Sequence, residues 1–144
     1  MTVSKTPSRG LSVCYTANMK LEPPFDSFKL EKHAGEYKDF GGVGNDYPLK
    51  GVTYPVDYGE IEGYVTEDGA NLDLFVGASS NNDHYGYIRV SRPDLSDGEH
   101  KFYIHLTDDE EAAVLREFSS VLIEHGRFDT FDALLTAMEP FRST

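Results

Sequence analysis

Cysteine is nearly absent from this chain of 144 residues, and Cys14 stands alone. One thiol makes neither an internal disulfide nor a multi-cysteine zinc cage, so Cys14 reads as a small packing residue suited to reducing conditions. Basic residues are scarce as well. Thirteen Lys and Arg face 25 Asp and Glu, a formal net charge of −12, and phosphate-backbone contacts require clustered cations that this composition does not supply, which argues against a nucleic-acid partner. An acidic surface suits solubility, cations or a basic protein partner. Long apolar runs are also missing: none approaches the roughly 18 to 20 residues needed to cross a bilayer, and Met1 to Gly10 carries no hydrophobic segment behind its basic residues. The expectation is a cytosolic protein without a membrane partner.

Several catalytic signatures are lacking too. The histidines His33, His84, His100, His105 and His125 form no His-Glu-x-x-His pair, and no Gly-x-Ser-x-Gly elbow occurs. The run Phe40-Gly41-Gly42-Val43-Gly44-Asn45-Asp46 lacks the third glycine of a dinucleotide fingerprint, and no helical pattern follows it before Pro48. It reads as a surface loop.

What is present fits one domain over 1–144, with residues 1–10 as a flexible tail and no internal repeat or linker. A chain of this length buries about two thirds of its unfolded surface and needs no staple. Leu11 to Ala17 reads as a short strand. Aromatic-rich runs at Tyr58 to Val65 and Leu72 to Val76 flank a turn at Asp68-Gly69. Tyr85 to Val90 and Lys101 to Leu106 are further strands, separated by a loop at Arg92 to Gly98, and Gly77 to His84 is a polar turn. Such a series of strands suits a barrel or sandwich. Thr107-Asp108-Asp109-Glu110 is a capping box, and Ala112, Leu115, Phe118, Val121 and Leu122 predict a helix running to His125, with Gly126 as its left-handed stop. A second helix is predicted from Thr130 to Met138, capped by Asp129 and with Phe131, Leu134 and Leu135 as its buried face.

The stretch from Tyr54 to Val76 carries the chemistry. Asp68 on the turn and Asp73 at the head of the next strand are placed to converge on one point, an arrangement suited to a hard divalent cation held by oxygen. The plainer reading also stands: Asp68 makes the turn at Gly69, while Glu99 and Lys101 are solvent-facing strand residues.

Tyr-Pro-x-Asp-Tyr-Gly-x-Ile-x-Gly, followed by Asp-Gly-x-x-x-Asp and three apolar residues, resembles the signature of the soluble family I inorganic pyrophosphatases. The resemblance implies an α+β fold, a small five-stranded, OB-like β-barrel with C-terminal helices packed on it, and hydrolysis of diphosphate with Mg²⁺ or Mn²⁺. It also implies a second acidic cluster, which Asp94, Glu99 and Lys101 match in spacing, with Glu for the family's second Asp. By resemblance, Asp68, Asp73, Asp94 and Glu99 are the metal ligands, Lys101 holds the leaving phosphate, and the hydroxyl of Tyr58 donates to a phosphate oxygen. Four converging carboxylates repel one another, each adjacent pair by on the order of 3 kcal/mol at about 5 Å and an effective dielectric of about 20, so cations or protons must neutralise them.

The chain departs from the family's pattern at two places. The family's third aspartate, assigned as the general base, falls on Ala70, and loss of a positioned base costs about 10² to 10⁴ in rate. The arginine of the family's phosphate clamp falls on Asp46, which leaves Lys29, Lys32 or Lys50 as substitutes. The expected function is therefore a pyrophosphatase-like protein that keeps part of a cation and phosphate site, with hydrolysis weak or lost. Two alternatives remain open: a Mg-dependent hydrolase of another phosphoanhydride, with Glu60, Glu67 or Asn71 positioning water, and an acidic immunity or regulatory protein that binds a basic partner. Homo-oligomerisation stays open as well.

Overall fold

A computed structural model describes residues 21–43, 46–78 and 84–143. The expected tail, the strand at Leu11 to Ala17, Cys14 and most of the polar turn before His84 lie outside the described residues.

The architecture is α+β, a mostly β core with two short helices. Six strands form one sheet in the order β1 (Lys29–Lys32), β4 (Asp57–Val65), β5 (Asn71–Val76), β7 (Leu95–Leu106), β6 (His84–Arg92) and β8 (Leu122–Phe128). A separate ribbon pairs β2 (Tyr37–Asp39) with β3 (Gly51–Thr53). Among the described residues the large sheet is not closed into a barrel. All its pairings are antiparallel except that between β5 and β7.

Side chains alternate across the sheet, so each central strand feeds two cores. Tyr58, Phe75, Ile88, Val90 and Tyr103 pack on one face beneath Val114 and Phe118 of helix α1 (Asp108–Glu117). Ile61, Leu72, Leu74, Phe102 and Ile104 pack on the other beneath Leu134 and Met138 of helix α2 (Phe131–Met138). Of the described helices, neither is long and apolar enough to cross a membrane.

The capping box is formed as expected, with Glu110 N–H donating to Thr107 Oγ1 and Thr107 N–H to Glu110 Oε1. The helix does not reach His125. It ends at Glu117, and after a turn at Ser119-Ser120 the chain enters β8, where Gly86–Arg127 and Ile88–His125 are register partners. Pairing with β6 supplies the hydrogen bonds that a longer helix would have used, and the apolar residues read as a helical stripe include the β-branched Val121, followed by Ile123, which favours strand. Gly126 is therefore no helix stop. It sits in β8, where a Cβ would meet the Tyr87 ring at 2.9 Å. The second helix is capped by Thr130, not Asp129, through Ala133 N–H to Thr130 Oγ1 at 3.0 Å. The expected Arg92 to Gly98 loop is instead a tight hairpin turn at Pro93-Asp94 between β6 and β7. Gly41–Val43 in the glycine-rich run form a short 3-10 turn.

Candidate functional site

Tyr58 and Glu60 on β4, Asp73 on β5, and Glu99 and Lys101 on β7 share the face that carries α1. Glu60 is the direct cross-strand partner of Asp73, and Val90 that of Glu99. Apolar packing covers this face near the helix. Farther along it, the polar members surround a cavity of about 430 Å³, whose wall also includes Asp68, Ala70 and Arg92.

Asp68 arrives there because the β4–β5 turn is built around it. Gly69 takes φ +83°, a conformation glycine adopts without penalty. Asp68 Oδ1 accepts from Thr66 Oγ1 at 2.7 Å and from the Ala70 amide at 2.9 Å. The turn reading and the site reading thus describe the same residue: one carboxylate oxygen makes the turn and the other, Oδ2, faces Arg92 Nη1 at 3.1 Å.

Two cations hold the acids. Lys101 Nζ donates to Asp73 Oδ2 and to the Tyr58 hydroxyl oxygen, both at 2.8 Å, and lies 3.6 Å from Glu99 Oε1. Because Tyr58 accepts from Lys101, its own O–H is left to donate elsewhere. Arg92 Nη1 also donates to Glu99 Oε1 at 3.4 Å, while its Nε and Nη2 form a two-point pair with Asp94 at 3.1 and 3.0 Å. Burial works against the Lys101 ammonium, but Tyr58, Asp73 and Glu99 hold its pKa well above the ordinary range. Burial pushes Glu99 up, opposed by Lys101 and reinforced by Asp73 and Asp68. Burial also raises Asp68, yet the bonds from Thr66, Ala70 and Arg92 outweigh it and bring the pKa down to about 2.

Three of the four expected metal ligands, Asp68, Asp73 and Glu99, therefore line one cavity together with Tyr58 and Lys101. Asp94 does not. It stands on the hairpin turn with its side chain 61% exposed and reaches the others only through Arg92. Among the described residues, no three Asp, Glu, His or Cys side chains are gathered about one point as ion ligands.

The cations facing the cavity are Lys38, Arg92 and Lys101, and none of the clamp candidates Lys29, Lys32 and Lys50 is among its lining residues. Sequence reasoning missed Arg92 and Lys38. A usable signal for Arg92 was its place beside Pro93-Asp94, since an arginine two residues before an acid across a tight turn can pair with it.

Of the three residues weighed for positioning water, Glu67 turns to the opposite face and pairs with His100 Nδ1 at 2.6 Å. Glu60 lines the cavity, and Asn71 Nδ2 donates to its Oε1 at 3.0 Å. Glu31 stands beside Glu60, and burial together with that neighbouring carboxyl raises its pKa. Ala70 faces the same cavity. Compared with protein-family models, curated proteins and solved structures, the chain matches none.

Proposed function

We propose that the cavity binds a divalent cation together with a phosphate group, in a pyrophosphatase-like protein whose hydrolysis of diphosphate is weak or lost. The observation that carries this reading is a charge imbalance at a confined place. Six acidic residues line the cavity, Glu31, Asp39, Glu60, Asp68, Asp73 and Glu99, against three basic ones, Lys38, Arg92 and Lys101. Carboxylates held together without matching cations are relieved by a metal ion or by protons. All-oxygen donors favour Mg²⁺ or Mn²⁺ over a softer metal.

Asp68, Asp73 and Glu99 are the residues that would hold the ion, which would neutralise charge on phosphate oxygens when bound. The chain's own groups divide the remaining work. Lys101 is held as an ammonium and directs positive charge into the cavity. The Tyr58 O–H donates to a phosphate oxygen, and Arg92 moves from Asp68 and Glu99 toward the anion as the ion takes its place. With alanine at position 70, no side chain there can take a proton from water. Kinship with the pyrophosphatase family, its barrel included, rests on the Tyr54 to Val76 motif and is part of this proposal.

Calorimetry with Mg²⁺ or Mn²⁺, with and without diphosphate, tests the reading. The expected result is cation binding that diphosphate strengthens and that Asp73→Asn abolishes. Ala70→Asp is expected to raise phosphate release from diphosphate by about 10². Absence of cation binding at millimolar Mg²⁺, with and without diphosphate, would refute the reading. So would wild-type turnover near the median for enzymes, about 10 s⁻¹, which would show that hydrolysis is intact.

A further inference from the structure

The cavity has two walls of opposite character. Asp68, Asp73, Glu99, Arg92 and Lys101 form the charged wall, while Phe40, Val43, Tyr47, Leu49 and Phe118 form an apolar one. Inorganic diphosphate is a compact polyanion that has use for only the first. Its phosphate oxygens seek cations and hydrogen-bond donors, and an aromatic and aliphatic surface offers it neither. At about 430 Å³ the space matches sites that hold small organic molecules, ~300 to 1,000 Å³, in which apolar walls take the body of the ligand and a few polar groups fix its orientation.

The apolar wall also has room at its rim. Val43 is 43% exposed, whereas among the described residues Val52, Val56, Val76, Val90, Val114 and Val121 are buried. Beside it, a Cβ built on Gly42 would meet nothing within 4 Å, so the 3-10 turn that carries both residues leaves open space where a side chain would stand. Lys38 sits with its Nζ 5.2 Å from the Phe40 ring centroid and also lines the cavity, which puts a cation beside the apolar wall.

We propose that the ligand is an organic phosphoanhydride, a diphosphate esterified at one end with an apolar or aromatic group. Its phosphates lie along the charged wall and its organic group against Phe40, Val43 and Tyr47. This inference rests on the cation and phosphate reading above and names the substrate class of that site.

The test is calorimetry on the full chain at saturating Mg²⁺, with inorganic diphosphate and phenyl diphosphate as the probes. Phenyl diphosphate is expected to bind at least about tenfold tighter. Gly42→Leu, which fills the open space, and Val43→Ser, which removes apolar surface at an exposed position, are each expected to remove most of that advantage and to leave inorganic diphosphate binding unchanged. Equal affinity for the two probes, or an advantage that survives both substitutions, overturns the inference while leaving the underlying site intact. If neither probe binds, the underlying reading fails and this inference with it.

Discussion

Two ionic networks share one face of the sheet, and they differ in what they leave unsatisfied. Near α1, Arg127 grips Glu111 through Nε at 2.8 Å and Nη2 at 2.5 Å, Tyr103 donates to the same carboxylate, and Asp108 joins Arg127 to His84. Arg127 and then Tyr103 hold Glu111 below its ordinary pKa despite burial. Both acids there touch the Arg127 guanidinium, and the result ties helix to sheet. At the cavity, Arg92 and Lys101 are shared among Asp68, Asp73, Asp94 and Glu99, with Glu31 and Glu60 close by. A network in which every acid touches a cation is architecture. One that is short of cations and lines a cavity has capacity for a ligand.

Lys101→Met breaks this contrast most sharply. The thioether keeps the volume but leaves Asp73 and Glu99 without their cation, and removing one partner of a buried pair costs about 3–5 kcal/mol. Urea unfolding at pH 7 measures it, and added Mg²⁺ is expected to stabilise this variant by more than it stabilises the wild type. A loss below about 1 kcal/mol would mean that water already screens the acids. Glu111→Ala comes next. It strands the buried Tyr103 hydroxyl, at about 1–3 kcal/mol for an unsatisfied buried group, and it should leave Mg²⁺ binding unchanged. A change in Mg²⁺ affinity would erase the distinction between the two networks.

How much of this was legible beforehand depends on the range over which each interaction acts. The capping box at Thr107, the strand around Tyr58 and the turn at Gly69 are local, and each was readable from a few consecutive residues. The second half of the expected first helix was not readable, because Val121 to Gly126 satisfies a three-and-four spacing and a strand alternation equally, and the choice lies with β6, some thirty residues earlier in the chain. The site divides the same way. Asp73, Glu99 and Lys101 fall on alternating strand positions that share a face, and the β4–β5 turn brings Asp68 to the same cavity. Asp94 was assigned from the family resemblance, and the Pro93-Asp94 turn leaves its side chain exposed. Lys38 was missed because nothing local distinguishes a cation that will line a cavity from one that faces water, whereas for Arg92 only the pair with Asp94 was local and those with Asp68 and Glu99 were not.

Arg92→Gln sharpens the comparison at the site itself. Its guanidinium occupies Asp68 and Glu99, so a cation must displace it, and glutamine keeps hydrogen bonding while removing the charge. Mg²⁺ affinity is expected to rise by about tenfold in calorimetry, with a smaller stability loss than Lys101→Met, because Glu99 keeps Lys101 at 3.6 Å and Asp94 is solvent-exposed. Weaker Mg²⁺ binding would instead make Arg92 a support for the site.

The smallest effect is the dependence on acid. Asp68 has its pKa lowered to about 2, because the bonds from Thr66, Ala70 and Arg92 outweigh burial, whereas an unfolded Asp titrates near about 3.9. A group depressed in the folded state contributes stability that is fully present above its unfolded pKa and is lost as pH falls through the folded one. The stability difference between the wild type and Asp68→Asn should therefore be flat above about pH 5, shrink below about pH 4, and level out only below about pH 2 at whatever the neutral side chain itself is worth. Solvent screening at this partly exposed carboxylate limits the contribution to about 1 kcal/mol. A difference that held constant down to pH 2 would mean that the Asp68 charge adds nothing to the turn, and that Thr66 and Gly69 form it without help.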